Sequence, residues 1–215
     1  MTRLGLLLAS SSLLCSFACS KKSGDFEGEI ALRISRPEMP PSELLFEASE
    51  GRVRVGMSQA DGPAYALVKP DGMAVFVMES KKAWSDLNMA KSRAQVEKDN
   101  PTGPPSVNKT GKLETIAGQR CEVWEIKHTS GKRTDACISE GLVGFDLGTL
   151  MPGAGPFTSQ SSEEIAKRKL FPLRSVEIDA KGQETSRMEV TRVERKSLDK
   201  SRFEVPKDFT YIPAK

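Results

Sequence analysis

The sequence predicts a mainly β protein, an open or half-closed antiparallel sheet with two or three short helices. Three observations support this class. Segments with an apolar residue at every second position recur along the chain, glycine-containing turn signals separate many of them, and only a few segments suit helices better. Alternation of this kind is the two-residue period of a half-buried strand, and long hairpins therefore dominate the predicted fold.

The first half of the chain is predicted to form five strands. The first starts at Phe26, where Ile30, Leu32 and Ile34 alternate with polar residues, and it ends where prolines begin at Pro37. The other four flank the turn signals Glu50-Gly51 and Pro70-Asp71-Gly72: Leu44–Ala48, Arg52–Met57, Ala64–Lys69 and Met73–Glu79.

The second half adds the predicted helices and the longest hairpins. A helix is expected over Trp84–Lys98, because Ser85 or Asp86 can cap it and prolines follow it. Two further short helices are expected, one within 141–150 and one from Ser161 or Ser162 to about Leu170. The predicted strands are Val107–Ile116, Gln119–His128, Lys132–Ser139, Phe171–Asp179 and Glu184–Arg195, followed by a tail from Phe203 to Phe209.

An export signal opens the chain. Arg3 precedes an apolar run from Leu4 to Leu14. A run of this length suits the central part of a signal peptide, whereas a helix that crosses a bilayer needs about 20 apolar residues. Ala18 and Cys19 come next, and the segment resembles the lipobox of bacterial lipoproteins. The resemblance implies cleavage after Ala18 and a lipid anchor on Cys19.

The lipobox departs from its usual pattern at Ser16, where leucine is commonest, and at Phe17, where a small residue is preferred. An ordinary secretory signal without lipid is the alternative. The predicted organisation is a signal peptide over residues 1–18, a lipidated cysteine and tether over 19–25, and a single antiparallel β domain over 26–215. The predicted location is the periplasm-facing cell envelope, where Ser20 favours the outer membrane over the inner one by analogy with enteric sorting rules.

Composition argues against a nucleic-acid partner and a metal cofactor. The chain has 32 Lys and Arg against 29 Asp and Glu, and its basic residues are scattered along the sequence. It has one histidine, His128, and no Cys-x-x-Cys pair. A tetrahedral metal site needs more ligands of this type, so no metal or other cofactor is predicted.

Cys121 and Cys137 are the candidates for a disulfide. They lie on two predicted strands joined around Thr129-Ser130-Gly131. A hairpin centred near residue 129 would place the two cysteines opposite each other, and one centred on Ser130-Gly131 would offset them by about three positions. A bulge or longer loop would absorb that offset. We predict the bond, which suits an exported protein.

The order of several segments resembles one known family. The segments are Phe26-Glu27-Gly28, Gly111 to Gly118, Cys121 to Trp124, Cys137, Phe171 to Arg174, Lys196 to Asp199 and Phe203 to Pro206. Together they resemble the bacterial lipoprotein family called domain of unknown function 4412, over residues 26 to 212.

That family is distantly similar to the LolA, LolB and LppX lipoprotein carriers. The resemblance implies a strongly curved antiparallel sheet, a half-barrel, whose concave face is covered by the short helices and holds acyl chains. It implies no catalytic residues. Transfer of lipid binding rests on the fold alone.

The residues themselves favour a non-catalytic protein. The sequence lacks the nucleophile, phosphate-loop and zinc-protease motifs. Ser197-Leu198-Asp199-Lys200 matches the Ser-x-x-Lys pattern of penicillin-interacting enzymes, but the partner motifs of those enzymes are missing. We therefore predict no enzymatic activity.

Two functions remain as hypotheses. The first is binding of a lipid or other hydrophobic ligand in an apolar cavity. The candidate cavity residues are Val75, Val77, Leu87, Met89, Phe145, Leu147, Leu150 and Phe171. The second is a structural or interaction lipoprotein with a filled core, which contacts another envelope protein through the loop 151–156.

Overall fold

A single sheet organises the molecule. The computed structural model describes residues 26–59, 62–87, 105–143 and 167–213. Twelve strands of these segments hydrogen-bond in the order β12-β6-β5-β4-β3-β2-β1-β11-β10-β9-β8-β7. Each neighbouring pair is antiparallel except β12 with β6, which is parallel. The first strand therefore lies in the middle of the sheet, between β2 and β11.

The strand bounds follow the chain in two runs of hairpins. The first run is β1 (Gly28–Arg36), β2 (Met39–Ser49), β3 (Arg52–Gln59), β4 (Gly62–Val68), β5 (Ala74–Met78) and β6 (Ala83–Leu87). The second run is β7 (Ser106–Ile116), β8 (Gln119–Lys127), β9 (Arg133–Ser139), β10 (Phe171–Ile178) and β11 (Glu184–Arg195), and β12 (Thr210–Tyr211) closes the list.

Two of the hairpin turns have the geometry that suits the twist of antiparallel strands. Glu50 and Gly51 have φ values of 52° and 76°, and Ala117 and Gly118 have 48° and 74°. Positive φ at both central residues is the signature of a type I′ turn, and glycine adopts it at little cost. These turns set the registers of β2 with β3 and of β7 with β8.

The prediction of a helix over Trp84–Lys98 is wrong at its start. Residues 84–87 belong to β6, which pairs with β5 and places Trp84 opposite Val77. The carbonyl of Trp84 accepts a 2.8 Å hydrogen bond from the amide of Ile212. A capping residue near Trp84 favoured a helix locally, but pairing with strands on both sides outweighs that preference. Residues 88–98 lie outside the described segments.

The short helices expected over the concave face are not supported by the described structure. Of the helix predicted within 141–150, only residues 141–143 are described, and they form a bend. Of the helix predicted to end near Leu170, only Lys167 and Arg168 are seen in helical conformation. The described segments contain one 3-10 helix, Lys200–Phe203, which ends where the predicted tail begins and was not predicted.

One aromatic contact shows that the sheet is curved. Phe46 on β2 and Phe171 on β10 pack edge to face, with ring centroids 5.8 Å apart. Strands β1 and β11 lie between them, so a flat sheet would separate their backbones by about 14 Å. Because side chains stand nearly perpendicular to a sheet, the two rings meet only if the sheet bends toward them. The face that carries Phe46 and Phe171 is the concave face.

Candidate functional site

The concave face of β1 to β5 is apolar and buried. Directly opposed residues of antiparallel strands point to the same face, so the registers extend from Phe46 to its neighbours on both sides. Ile30, Leu32, Val55 and Ala66 have no exposed surface, and Phe46 has 1%. The other buried members of this face on these strands are Leu44, Ala48, Val53, Ala64, Val68 and Ala74.

Four of the eight predicted cavity residues fall within the described segments, and the structure does not bring them together. Phe171 belongs to the concave core, and Leu87 packs against it. Val75 and Val77 form a separate cluster with Tyr65 and Leu67. Val77 pairs with Tyr65, and Tyr65 pairs with Gly56, which neighbours the concave Val55, so this cluster lies on the opposite, convex face.

Val75 and Val77 are buried although they lie on the convex face. Val205 and Phe209 of the C-terminal segment, together with Trp84, pack against their cluster. The remaining predicted cavity residues, Met89, Phe145, Leu147 and Leu150, lie outside the described segments. The cavity itself therefore stays a prediction.

The concave face ends in a row of polar side chains. This row lies at the end of the strands that is far from Phe26. Glu177 pairs with Thr134 on one side and with Ser186 on the other. The neighbouring row on the same face contains Ser175 and Met188, and Met188 pairs with Ile34 of the concave core. The Nε2 atom of His128 lies 3.2 Å from the hydroxyl oxygen of Thr134. Sequence reasoning missed the row, because its members come from three strands that only the register aligns.

Burial changes the proton affinity of two groups in this row. It raises the pKa of the Glu177 carboxyl, an effect that the positive charges of Lys132 and Arg36 only partly offset. Burial also lowers the pKa of His128, and the charge of Lys132 acts in the same direction. At neutral pH the histidine is therefore uncharged, whereas the carboxyl retains its proton to a higher pH than an ordinary glutamate.

Replacing Glu177 by Gln is expected to stabilise the protein at neutral pH. Because the pKa of Glu177 is higher in the folded than in the unfolded chain, the stability that it contributes is complete below the ordinary value of 4.5 and is lost as the pH rises through the folded pKa. Urea unfolding at pH 4 and pH 7 should give equal stabilities for variant and parent at pH 4, and a more stable variant at pH 7. Glu189→Gln, on the convex face of β11, is the control. A stabilising effect of equal size at both pH values would contradict the assignment.

The convex face is covered in part by the C-terminal segment. Glu47 on β2 has no exposed surface and accepts charged hydrogen bonds from Arg54 on β3 and Arg202 of the 3-10 helix. The guanidinium of Arg54 also lies 4.0 Å from the centroid of the Tyr65 ring. Further along, the ring of Tyr211 packs at a tilt against Trp84, and its hydroxyl donates a 2.7 Å hydrogen bond to Asp86. These contacts hold residues 196–212 against the sheet.

The Ser-x-x-Lys segment takes part in this attachment. Asp199 caps the 3-10 helix by accepting from the amide of Ser201. Lys200 extends to Glu50 at 2.9 Å, on the turn between β2 and β3. Within the described segments there is no group of three His, Cys, Asp or Glu residues placed to hold a metal ion. The same segments contain no helix long and apolar enough to cross a bilayer.

The two strand cysteines form a disulfide. Cys137 lies opposite Val123 in the pairing of β8 with β9, so it is offset from Cys121 by two positions. An even offset keeps both side chains on one face, and their Cα atoms are 5.3 Å apart. The turn at His128–Lys132 sets this register, which lies between the two arrangements that the sequence left open. Cys19 lies outside the described segments.

One family model matches most of the chain. The model described as domain of unknown function (DUF4412) matches residues 26–209, nearly the whole sheet and the C-terminal segment. The chain belongs to the DUF4412 family. The predicted resemblance is thereby confirmed. No curated protein matches this DUF4412 chain in sequence.

Solved structures similar to the DUF4412 chain are distant in sequence. An uncharacterised conserved protein from Thermus thermophilus is 9% identical, with a TM-score of 0.51, and the match covers 87% of this chain and 91% of that one. This likeness supports a shared fold.

Two further similar structures have lower TM-scores. A chain of the Pseudomonas aeruginosa MucA/MucB complex is 14% identical with a TM-score of 0.47, and 84% of the DUF4412 chain spans 56% of that chain. The LolA superfamily protein NE2245 from Nitrosomonas europaea is 15% identical with a TM-score of 0.33, and the match covers 85% and 91% of the two chains.

Proposed function

We propose that this protein is an exported, membrane-anchored lipoprotein that binds the apolar chain of a lipid against the concave face of its sheet. The observation that carries the proposal is the continuous apolar surface on β1 to β5, which includes Phe46 and extends to Phe171 on β10. Water is excluded from this face, as a lipid chain requires. Because its side chains are already buried, the lipid chain would have to enter between them and the atoms that cover them.

The anchor is proposed to be a lipid on Cys19. The described domain begins at Phe26, so seven residues would join the lipid to the fold. Even fully extended, they span at most about 25 Å. The anchor would thus keep the domain next to the bilayer, where its ligand would be found.

Replacing Cys19 by Ser is expected to abolish lipid attachment. Cells that express the full chain would be labelled with radioactive palmitate, and the protein would be isolated by immunoprecipitation. The parent should carry label, and the variant none, because serine offers no thiol for the diacylglycerol. Cys15→Ser is the matched control and should remain labelled. Equal labelling of parent and Cys19→Ser would refute the anchor.

The binding proposal is tested on the exported chain with Cys19→Ser, which lacks the anchor but retains the sheet. Native mass spectrometry should show a lipid mass that is released on unfolding, and a fluorescent fatty acid should bind and be displaced by palmitate. Phe46→Leu should weaken that binding because it reshapes the concave face. Tyr65→Leu is the control, since it makes a similar change on the convex face.

Failure to detect a bound lipid or a displaceable fatty acid would favour the second hypothesis, a lipoprotein with a filled core. In that case both the Phe46→Leu and the Tyr65→Leu variants would act only on stability. Crosslinking in cells would then be the next experiment, because a partner protein would be the expected ligand.

A further inference from the structure

The concave face changes its chemistry along the direction of the strands. Near Phe26 it is apolar, with Phe46 and Phe171 in contact. At the opposite end it carries the polar row of Thr134, Glu177 and Ser186. The exposed side chain of Arg36 continues this row on β1, one position beyond the pair of Ser35 with Arg187. The polar rim is defined as these four residues together with Lys132.

The polar rim has an excess of positive charge. Arg36 and Lys132 are both exposed, and within the described segments neither forms an ion pair with a carboxylate. The other titratable groups at the rim are Glu177 and His128, each of which interacts with Lys132. Burial favours the uncharged form of both. The hydroxyls of Thr134 and Ser186 can donate hydrogen bonds, so the rim presents donors and cations together.

We propose that the polar rim binds the anionic head group of an amphiphile whose apolar chain lies along the concave face toward Phe46 and Phe171. This inference rests on the proposed function and adds an orientation and a class of ligand to it. Arg36 and Lys132 supply the charge, and Thr134, Glu177 and Ser186 line the row between them. Carboxylate and phosphate oxygens share the chemistry that this arrangement recognises.

The test compares three ligands that share a sixteen-carbon chain: palmitate, palmitoyl lysophosphatidic acid and the uncharged monopalmitoylglycerol. Each would displace a fluorescent fatty acid from the exported chain with Cys19→Ser at pH 7.5. The double variant Arg36→Gln, Lys132→Gln is expected to weaken the two anionic ligands about tenfold, and to leave monopalmitoylglycerol unchanged. The preference between the first two ligands identifies the carboxylate or the phosphate as the better head group.

The matched control is Arg33→Gln with Lys181→Gln. Arg33 lies on β1 three residues from Arg36 on the convex face, where it pairs with Glu43, and Lys181 lies in the exposed turn after β10. This control should bind all three ligands as the parent does. Equal loss of all three ligands in the rim variant, or no loss of any, would overturn the rim while the proposed lipid binding stands. If the parent bound none of the three ligands, both proposals would be overturned.

Discussion

Replacing Glu47 by Gln is expected to lower the free energy of unfolding by about 3 kcal/mol, because it leaves two guanidinium groups without their common carboxylate. The side chain of Arg54 is only 17% exposed, so water cannot fully hydrate its charge after the change. Arg202 is 44% exposed and contributes less to the loss. Urea unfolding followed by circular dichroism measures the difference.

The same variant should loosen the C-terminal segment before the whole sheet unfolds. Arg202 lies beside Phe203, the one buried residue of the 3-10 helix, and loss of the Glu47 contact removes the main charged link between that helix and β2. Limited proteolysis should therefore cleave after residue 196 faster in the variant than in the parent. Glu43→Gln, on the same strand but 74% exposed, should alter stability by less than about 0.5 kcal/mol. An equal loss in both variants would show that burial of Glu47 is not the cause.

Removing the disulfide by the double change Cys121→Ala, Cys137→Ala is expected to destabilise the protein by about 3 kcal/mol. The bond closes a loop with a sequence separation of 16, and the chain-entropy model assigns this amount to a loop of that length. Both cysteines are buried, and they belong to the same cluster of buried residues as Phe46 and Phe171.

A reducing agent provides the control for this variant. Dithiothreitol should lower the unfolding midpoint of the parent to that of the double variant and should leave the double variant unchanged. If the parent resisted the reductant, or if the variant were as stable as the oxidised parent, the assigned contribution of the disulfide would be wrong.

Most of the sheet could be predicted from the sequence because its order is largely local. Hairpins such as β7 with β8 combine alternating strands with a two-residue turn, and both signals lie within a short stretch of chain. The strand β11 was predicted with its observed bounds, Glu184–Arg195. Strand β2 was predicted too short, because Pro40 and Pro41 argued against a strand that the structure nevertheless begins at Met39.

What could not be predicted depends on contacts between distant segments. Strand β6 resembled a capped helix, and its pairing with β12 depends on residues more than 120 positions away. The burial of Val75 and Val77 on the convex face required the C-terminal segment to pack there. The polar rim could not be predicted from the sequence either, because only the registers of β1, β11 and β10 bring Arg36 and Glu177 into one row.

The central position of β1 has a consequence for the order in which the strands of the sheet can assemble. Strands β1 to β6 can form hairpins with one another as soon as they are synthesised. One edge of β1 has no partner until β11, near the end of the chain, is available to pair with it. Ile30 and Leu32 on β1 have no exposed surface in the folded protein. Until β11 pairs with β1, they belong to a half-sheet with an unpaired edge. Such edges invite wrong pairing. The half-sheet of β1 to β6 is therefore exposed to wrong pairing until β11 joins it, and formation of the β1–β11 pair removes this open edge.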